Sequence, residues 1–258
     1  MDTKKFLNDI LGVVNGQKAW DWVAKISQYN RVQASNGYHD SLEIIKEELE
    51  VLGFKDIEHF KSPADGETTI WGYQAPYQWE IESGELWVLE PEKTKLCDFN
   101  DIPVSIITHS KSCNDTTEIV DIGVGDKKAD YDRYDINGKI ILMSGPIFRC
   151  RPFIEESGAI GVIYYPDLNR TRENFDRRIY NGFFTTKERL NKAKFGFSIS
   201  YNQAMHLKNL LKKGPVKVKA TIKAEFMEGN LEVLTTSIKG TEFPNQEIGS
   251  RKAKRYLQ

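Results

Sequence analysis

The chain has 258 residues, 40% of them hydrophobic and 28% charged, with a formal net charge of −1. That length holds one large domain or two ordinary ones, and the composition is that of a folded globular chain, not a disordered one. The balanced charge excludes a whole-molecule pull toward nucleic acid or an anionic membrane, so neither is expected as a partner.

The N-terminal stretch Phe6-Leu7-Asn8-Asp9-Ile10-Leu11 is amphipathic and broken by polar residues, and no later segment approaches a transmembrane length. Cys97, Cys113 and Cys150 are odd in number and have no paired spacing, which argues against a disulfide framework or a zinc knuckle. A reduced, cytoplasmic setting is the expectation.

Phe6, Leu7, Ile10, Leu11 and Val14 recur at helical spacing, and Trp20, Val23 and Ile26 continue on a second short helix. After the turn dipeptide Asn36-Gly37, Asp40 or Ser41 is placed to cap a firm helix. Its apolar face is Leu42, Ile45, Leu49 and Leu52, and Gly53 closes it. A strand begins at Phe54–Glu58.

From Ser62 to Trp87 the chain is broken by Pro63, Gly66, Gly72, Pro76 and Gly84, with Trp71, Tyr73, Tyr77, Trp79 and Trp87 among the breaks. These rings read in two ways: as an aromatic wall that receives a ligand side chain, or, more plainly, as filling of a domain interface. Short strands are predicted at Leu86–Leu89 and Val104–Thr108.

Turn chemistry and apolar pattern agree most closely between Ile119 and Asp167. Asn137-Gly138 marks a turn and Lys139–Met143 a buried strand that Ser144-Gly145-Pro146 stops. Phe153–Glu156 fits a short helix capped by Gly158, and Ala159–Tyr165 is a second buried strand. Together they predict a right-handed parallel crossover.

Residues 169–194 are rich in Arg and Lys without a regular period, and read as a solvated, mobile excursion rather than an anion-steering patch. Phe195–Ile199 is a strand. Ser200 and Gln203 have capping-box spacing for a helix that buries Ala204, Leu207, Leu210 and Leu211 and stops at Gly214. Val216 to Phe226 alternates strictly as a one-face-buried strand, Glu228-Gly229-Asn230 turns the chain, and Leu231–Ile238 is another strand. Residues 249–258 read as a basic tail.

Chemistry is harder to find. His109 and Cys113 are four apart but lack further ligands, His39, His59 and His206 are scattered, and Gly123-Val124-Gly125 is half a dinucleotide fingerprint. Neither H-E-x-x-H nor G-x-S-x-G is present.

Val120–Gly125, Ala129–Asp132, Asp135–Leu142 and Glu156–Ile163 resemble the protease-associated domain. That module is found inserted in the co-catalytic zinc aminopeptidases, family twenty-eight of the metallopeptidases, with glutamate carboxypeptidase and the transferrin receptor among its relatives. Tyr38–Phe54 resembles the family's opening helix, Phe195–Lys213 with the strand after it resembles the end of the insert, and Leu231–Glu242 resembles the strand that re-enters the peptidase sheet. The resemblance implies an α+β chain in which a protease-associated β/β/α swivelling domain interrupts an incomplete α/β aminopeptidase domain. The expected division is 1–61 N-terminal helices, 62–228 insert, 229–248 returning strand and 249–258 tail.

In the family, a His-x-Asp motif follows this point and binds zinc. Here Glu247-Ile248 is followed by Gly249-Ser250-Arg251-Lys252, so no catalytic or metal-ligating residue carries over, and zinc is expected only in a complete member. The resemblance therefore implies a non-catalytic fragment or homologue that carries the substrate-access domain. Two alternatives stand beside it: one part of an active zinc aminopeptidase whose catalytic half is supplied separately, and a stand-alone peptide- or carbohydrate-binding module. Peptide substrate or the missing catalytic half would be the partner. Trp71, Tyr73, Trp79, Arg149 and Arg151 are the candidate substrate contacts, chosen by residue type and place.

Overall fold

The computed structural model describes residues 3–171 and 174–242. The basic tail at 249–258 and Arg172 of the basic segment lie outside the described residues. The chain is α+β. Helix α1 (Thr3–Val13) leads to α2 (Gly16–Ser27), whose N-cap Asn15 accepts from the Lys18 amide at 3.0 Å. On the apolar sides of these helices, Leu7, Leu11, Trp20 and Val23 are all exposed.

Helix α3 (Asn36–Val51) starts a full turn earlier than its sequence suggests. Ser35 is the cap, its Oγ accepting from the Tyr38 amide, so Asn36-Gly37 open the helix and Asp40 and Ser41 lie inside it. Gly37 is needed there for space: a Cβ would stand 2.5 Å from the Asn30 carbonyl oxygen. Gly53, at φ 89°, ends the helix as expected, and the Phe54 amide reaches back to Leu49 O at 3.0 Å.

Strand β1 (Glu58–Ala64) begins where the sequence places a strand start only at its last residue. A small hairpin follows, β2 (Thr69–Ile70) and β3 (Tyr73–Gln74), and then the long β4 (Gln78–Glu90) and β5 (Thr94–Asp98). The strand expected at Val104–Thr108 does not form. Pro103 sits at the first position of a 3-10 turn, which suits its fixed φ, and residues 106 and 108 pair only through single bridges to Phe197 and Gly182.

After β6 (Cys113–Gly123), α4 (Lys128–Asp132) and β7 (Ile140–Met143), α5 runs over Ile147–Glu156, longer than the four residues expected. It contains Pro152 and opens directly after Pro146. Gly158 is not its cap; Ser157 is, in extended backbone. Gly158 is small because a Cβ would meet Asn137 Oδ1 at 2.8 Å, where the 137–138 turn passes. Strand β8 (Gly161–Tyr164), α6 (Leu168–Thr171), a 3-10 turn at Lys187–Lys192, β9 (Phe195–Ser198), α7 (Tyr201–Leu211), β10 (Lys217–Met227) and β11 (Gly229–Thr235) complete the described elements.

Seven strands form one sheet in the order β5-β4-β10-β6-β7-β8-β9. Its first half is antiparallel and its second half parallel, and β6 belongs to both. Residues 113–118 pair antiparallel with β10, and residues 119–123 pair parallel with β7. The crossover from β7 through α5 to β8 is therefore parallel, as its sequence predicts.

The two-residue period divides each buried strand between two cores. Ile140, Leu142 and Ile163 join Phe195, Phe197 and the inward face of α7. Ile141, Met143, Val162 and Tyr164 face Tyr131 of α4 and Ile147 and Ile154 of α5. Continuous apolar runs are what a strand buried on both faces requires.

Only Glu228 separates β10 from β11. The chain does not reverse at 228–230; it leaves the large sheet and joins β1 in a two-stranded ribbon, from Ala64↔Gly229 to Glu58↔Thr235. Residues 65–228 are thus strung between two paired, antiparallel strands, and α3 packs beside the ribbon.

Candidate functional site

Three places in the described residues gather polar or exposed aromatic groups: the β2–β3 hairpin, the junction of α3 with the ribbon, and the buried root of the hairpin. The hairpin turns on Trp71 and Gly72, at φ 53° and 80°. Both angles positive is the geometry that matches strand twist in a two-residue turn, and it strains a tryptophan. Tyr73, 81% exposed, and Trp71, 40% exposed, stand at this tip.

The base below them is fixed. Asp65 Oδ1 accepts from the amides of Glu67 and Thr68, and its Oδ2 accepts from the Thr68 hydroxyl. The Thr68 amide first, then that hydroxyl and the Glu67 amide, hold the Asp65 carboxyl down at about 2. Gln74 Nε2 donates to Gly66 O at 2.7 Å, the Lys187 amide donates to the same oxygen, and Lys187 Nζ pairs with Glu67 at 2.8 Å.

Trp79 is not part of that tip. It is 2% exposed, and its Nε1 donates to Ser110 O at 2.8 Å. Its ring belongs to the core, as fully buried aromatics with a bonded polar handle do. Arg149 is exposed on α5. Arg151, one turn-fraction on, donates from Nη1 to Phe183 O at 2.6 Å and so ties α5 to the segment after Asn174. The structure thus brings Trp71 and Tyr73 together, and sets Trp79, Arg149 and Arg151 in other surroundings.

The basic segment is not a free excursion. Arg178 donates to Leu96 O and Gln203 Oε1, Arg189 pairs with Glu155 at 3.2 Å, and Lys194 donates to Ser157 O and Ala159 O. Phe183 and Thr185 are buried. These three cations are spent on carbonyls and a carboxylate of this chain, which the irregular sequence does not reveal. Beside Arg178 and Gln203 a cleft of about 200 Å³ also reaches Asp98 and Asp101, smaller than usual ligand pockets.

At the junction, Glu232 of β11 is nearly buried. His39 of α3 brings Nδ1 to 3.1 and 3.2 Å from its two carboxylate oxygens, and Lys61 Nζ lies 3.5 Å from Oε2. His59 Nε2 touches the same oxygen without the alignment of a hydrogen bond, and its Nδ1 faces Glu43 at 3.6 Å. Burial alone would push the Glu232 carboxyl up; His39, Lys61 and His59 outweigh it and hold it below the usual carboxylate range. His39 and His59 were visible as histidines, but nothing local in the sequence marks a glutamate 193 positions after His39 as their partner.

Under the hairpin, His109 is fully buried with φ 60°. Burial pushes its imidazole down to about 4, against a partial rise from its contact with Tyr77 O at 3.1 Å. Cys113 does not join it as a ligand pair. Burial raises the Cys113 and Cys97 thiols to about 12 and Cys150 to about 11, so none is a ready thiolate. Among the described residues no three His, Cys, Asp or Glu side chains are arranged to hold a metal ion, and none of the described helices is long and apolar enough to cross a membrane.

No protein-family model and no curated protein matches this chain. Solved structures do. A peptidase M28 precursor from Shewanella amazonensis superposes with a TM-score of 0.59 at 17% identity, over 86% of this chain and 50% of that one. The fold is aminopeptidase-like. An aminopeptidase from Aneurinibacillus sp. strain AM-1 matches with a TM-score of 0.53 at 17% identity, covering 88% of this chain and 49% of its own. A zinc aminopeptidase from Bacillus subtilis gives 0.51 at 15% identity, with coverage of 83% and 46%. The aminopeptidase-like fold described here thus spans about half the length of each of these three structures.

Proposed function

We propose that this chain provides the N-terminal helices and a protease-associated, substrate-access domain of an aminopeptidase-like protein, without a metal site of its own. The observation that carries this reading is the likeness of more than four-fifths of the chain to about half of each of three peptidase structures. Residues 65–228, strung between the ribbon strands, are the proposed insert, with residues 58–64 and 229–235 leading into it and out of it. By residue type, Trp71 and Tyr73 at the hairpin tip and Arg149 on α5 are the proposed contacts to peptide, while Trp79 is buried and Arg151 is bonded to Phe183 O. Purified chain dialysed against zinc and assayed with aminoacyl-4-nitroanilides is expected to hold no stoichiometric metal and to give no turnover. One bound zinc per chain with robust hydrolysis would overturn the reading.

A second reading, that an active zinc aminopeptidase forms when a catalytic half is supplied as a separate chain, is favoured by one feature. Helices α1 and α2 leave Leu7, Leu11, Trp20 and Val23 exposed at helical spacing, and an amphipathic face left open asks for a cover. Co-expression with the complementary half of a solved aminopeptidase is expected to yield a complex under this reading. Recovery of both chains as separate monomers would remove its support.

A further inference from the structure

His109 stands where three segments meet. Its Nε2–H donates to Tyr77 O, just ahead of β4. Its ring stacks on Trp79 at 6.0 Å between centroids and lies 5.7 Å from Phe184 and 6.4 Å from Phe226. Its carbonyl oxygen accepts from the Thr185 hydroxyl. Tyr77 in turn donates its amide to Thr185 O, the Thr108 amide donates to Asn181 O, and the Phe183 amide donates to Thr108 O. One imidazole thus links the root of the hairpin, the 106–110 segment and the strap at 181–186.

Two features make this link conditional. His109 and Phe184 both hold positive φ, at 60° and 49°, a conformation that non-glycine residues keep only when their surroundings impose it. With Nε2–H bonded to Tyr77 O, His109 Nδ1 is a bare acceptor, fully buried and without a partner. It is the atom that a proton would occupy, and among the described residues no oxygen is placed to receive the resulting N–H.

The groups facing the ring do not compensate a charge either. They are Tyr77 from the hairpin root, Trp79 from β4, Phe184 and Thr185 from the strap, Phe226 from β10, and Ser110 next in the chain. Only Tyr77 among them is titratable, and it offers its carbonyl. The nearby Lys187 and Glu67 pair with each other. Among the described residues no carboxylate is paired with His109.

We propose that His109 is an acid-sensitive latch: protonation at Nδ1 expels the ring from its aromatic box, releasing the strap at 181–186 and the root of the β2–β3 hairpin while the parallel core stays folded. The proton comes from solvent and nothing else is consumed. The rings of Trp79, Phe184 and Phe226 offer an imidazolium only the attraction of their faces, which does not offset burying it with no acceptor at Nδ1, whereas the opened segments expose it to water. The strap and hairpin also have the short, single-bridge pairings from which locally opening segments are drawn. Because the tip carries Trp71 and Tyr73, the latch would couple pH to the placement of the exposed aromatics, whatever they contact.

Amide hydrogen exchange on the full chain at pH 7 and pH 4.5, corrected for intrinsic rates, tests this. The amides of Tyr77, Thr108 and Phe183 are expected to lose protection by roughly fifty- to a hundredfold, the span set by an imidazole held near 4 against an ordinary value near 6.5. Those of Ile141, Leu142 and Ile163 are expected to change little. His109→Asn, which tolerates positive φ and does not titrate, is expected to abolish the difference. Should that variant misfold, the wild-type His109 ring followed by NMR gives the same answer: its charge change must coincide with the loss of strap protection. Unchanged protection at pH 4.5, equal loss across the whole core, or a strap that opens without titration of His109 would each overturn the latch.

Discussion

Gly161 and Phe195 face each other in register across β8 and β9, and the Phe195 ring covers the glycine so closely that any Cβ would overlap it. Both positions are buried in a core with no room to yield. Gly161→Ala is therefore expected to destabilise the chain by about 1–3 kcal/mol in urea unfolding, the usual cost of overpacking. Glu232 makes a second residue-scale prediction. Its folded carboxyl is held below 4.5 by His39, Lys61 and His59 acting against burial. The unfolded chain thus binds the proton more readily, so stability from this group is present above pH 4.5 and is lost as pH falls through the folded value. Glu232→Gln is expected to flatten that part of the stability profile while lowering stability at pH 7, since His39 and Lys61 lose their anion. An unchanged acid limb in thermal denaturation would count against the cluster.

At the scale of elements, caps decide where helices start. Ser200 Oγ accepts from the Gln203 amide and Gln203 Oε1 accepts from the Ser200 amide, and Gln203 Nε2 also donates to Leu96 O in β5. One capping box therefore fixes α7 and anchors the sheet edge. Ser200→Ala is expected to cost about 1 kcal/mol, within the range for losing a cap oxygen. Circular dichroism melting should show it, and a change below a few tenths of a kcal/mol would mean that the box is not closed in solution. The ribbon is the other decisive element. Its two strands carry the chain into and out of residues 65–228, and seven paired positions hold that entry and exit side by side. The contact of Asn36 N with Glu80 Oε1 at 2.6 Å adds a non-covalent tie at the start of α3.

For the whole molecule, burial is unevenly shared. The two cores of the large sheet contain the fully buried side chains Phe195 and Ile140 on one face and Ile141 and Tyr164 on the other, whereas α2 buries no residue. Deletion of residues 1–27 is accordingly expected to leave the thermal midpoint of the remaining chain unchanged and to reduce binding of a hydrophobic dye, because the exposed Trp20 and Leu11 leave with it. A clear fall in the midpoint would show that α1 and α2 dock on the remainder in solution.

What was legible in the sequence is what local physics decides. The period-two alternation of Val218, Ala220 and Ile222, the capping spacing of Ser200 and Gln203, the stop at Gly53 and the parallel crossover around Asn137-Gly138 all depend on neighbours within a few residues. Where a distant group intervened, local signals failed. Gly37 and Gly158 are glycines because Asn30 and Asn137 crowd them, not because the chain turns or ends there. Arg178, Arg189 and Lys194 look solvated in sequence but find acceptors that only the folded chain brings near. The same holds for the candidate sites. Trp71 and Tyr73 were visible as aromatics among turn residues. The burial of Trp79, the meeting of His39 and His59 on Glu232, and the enclosure of His109 depend on strand pairings and packing between residues dozens to nearly two hundred apart. Sequence alone determined those elements whose caps and apolar period are local, such as α7, β7, β8 and β10, since these follow from backbone geometry and burial. Tertiary structure alone decided which polar groups lost water and which partners replaced it, and that decides the chemistry each can do.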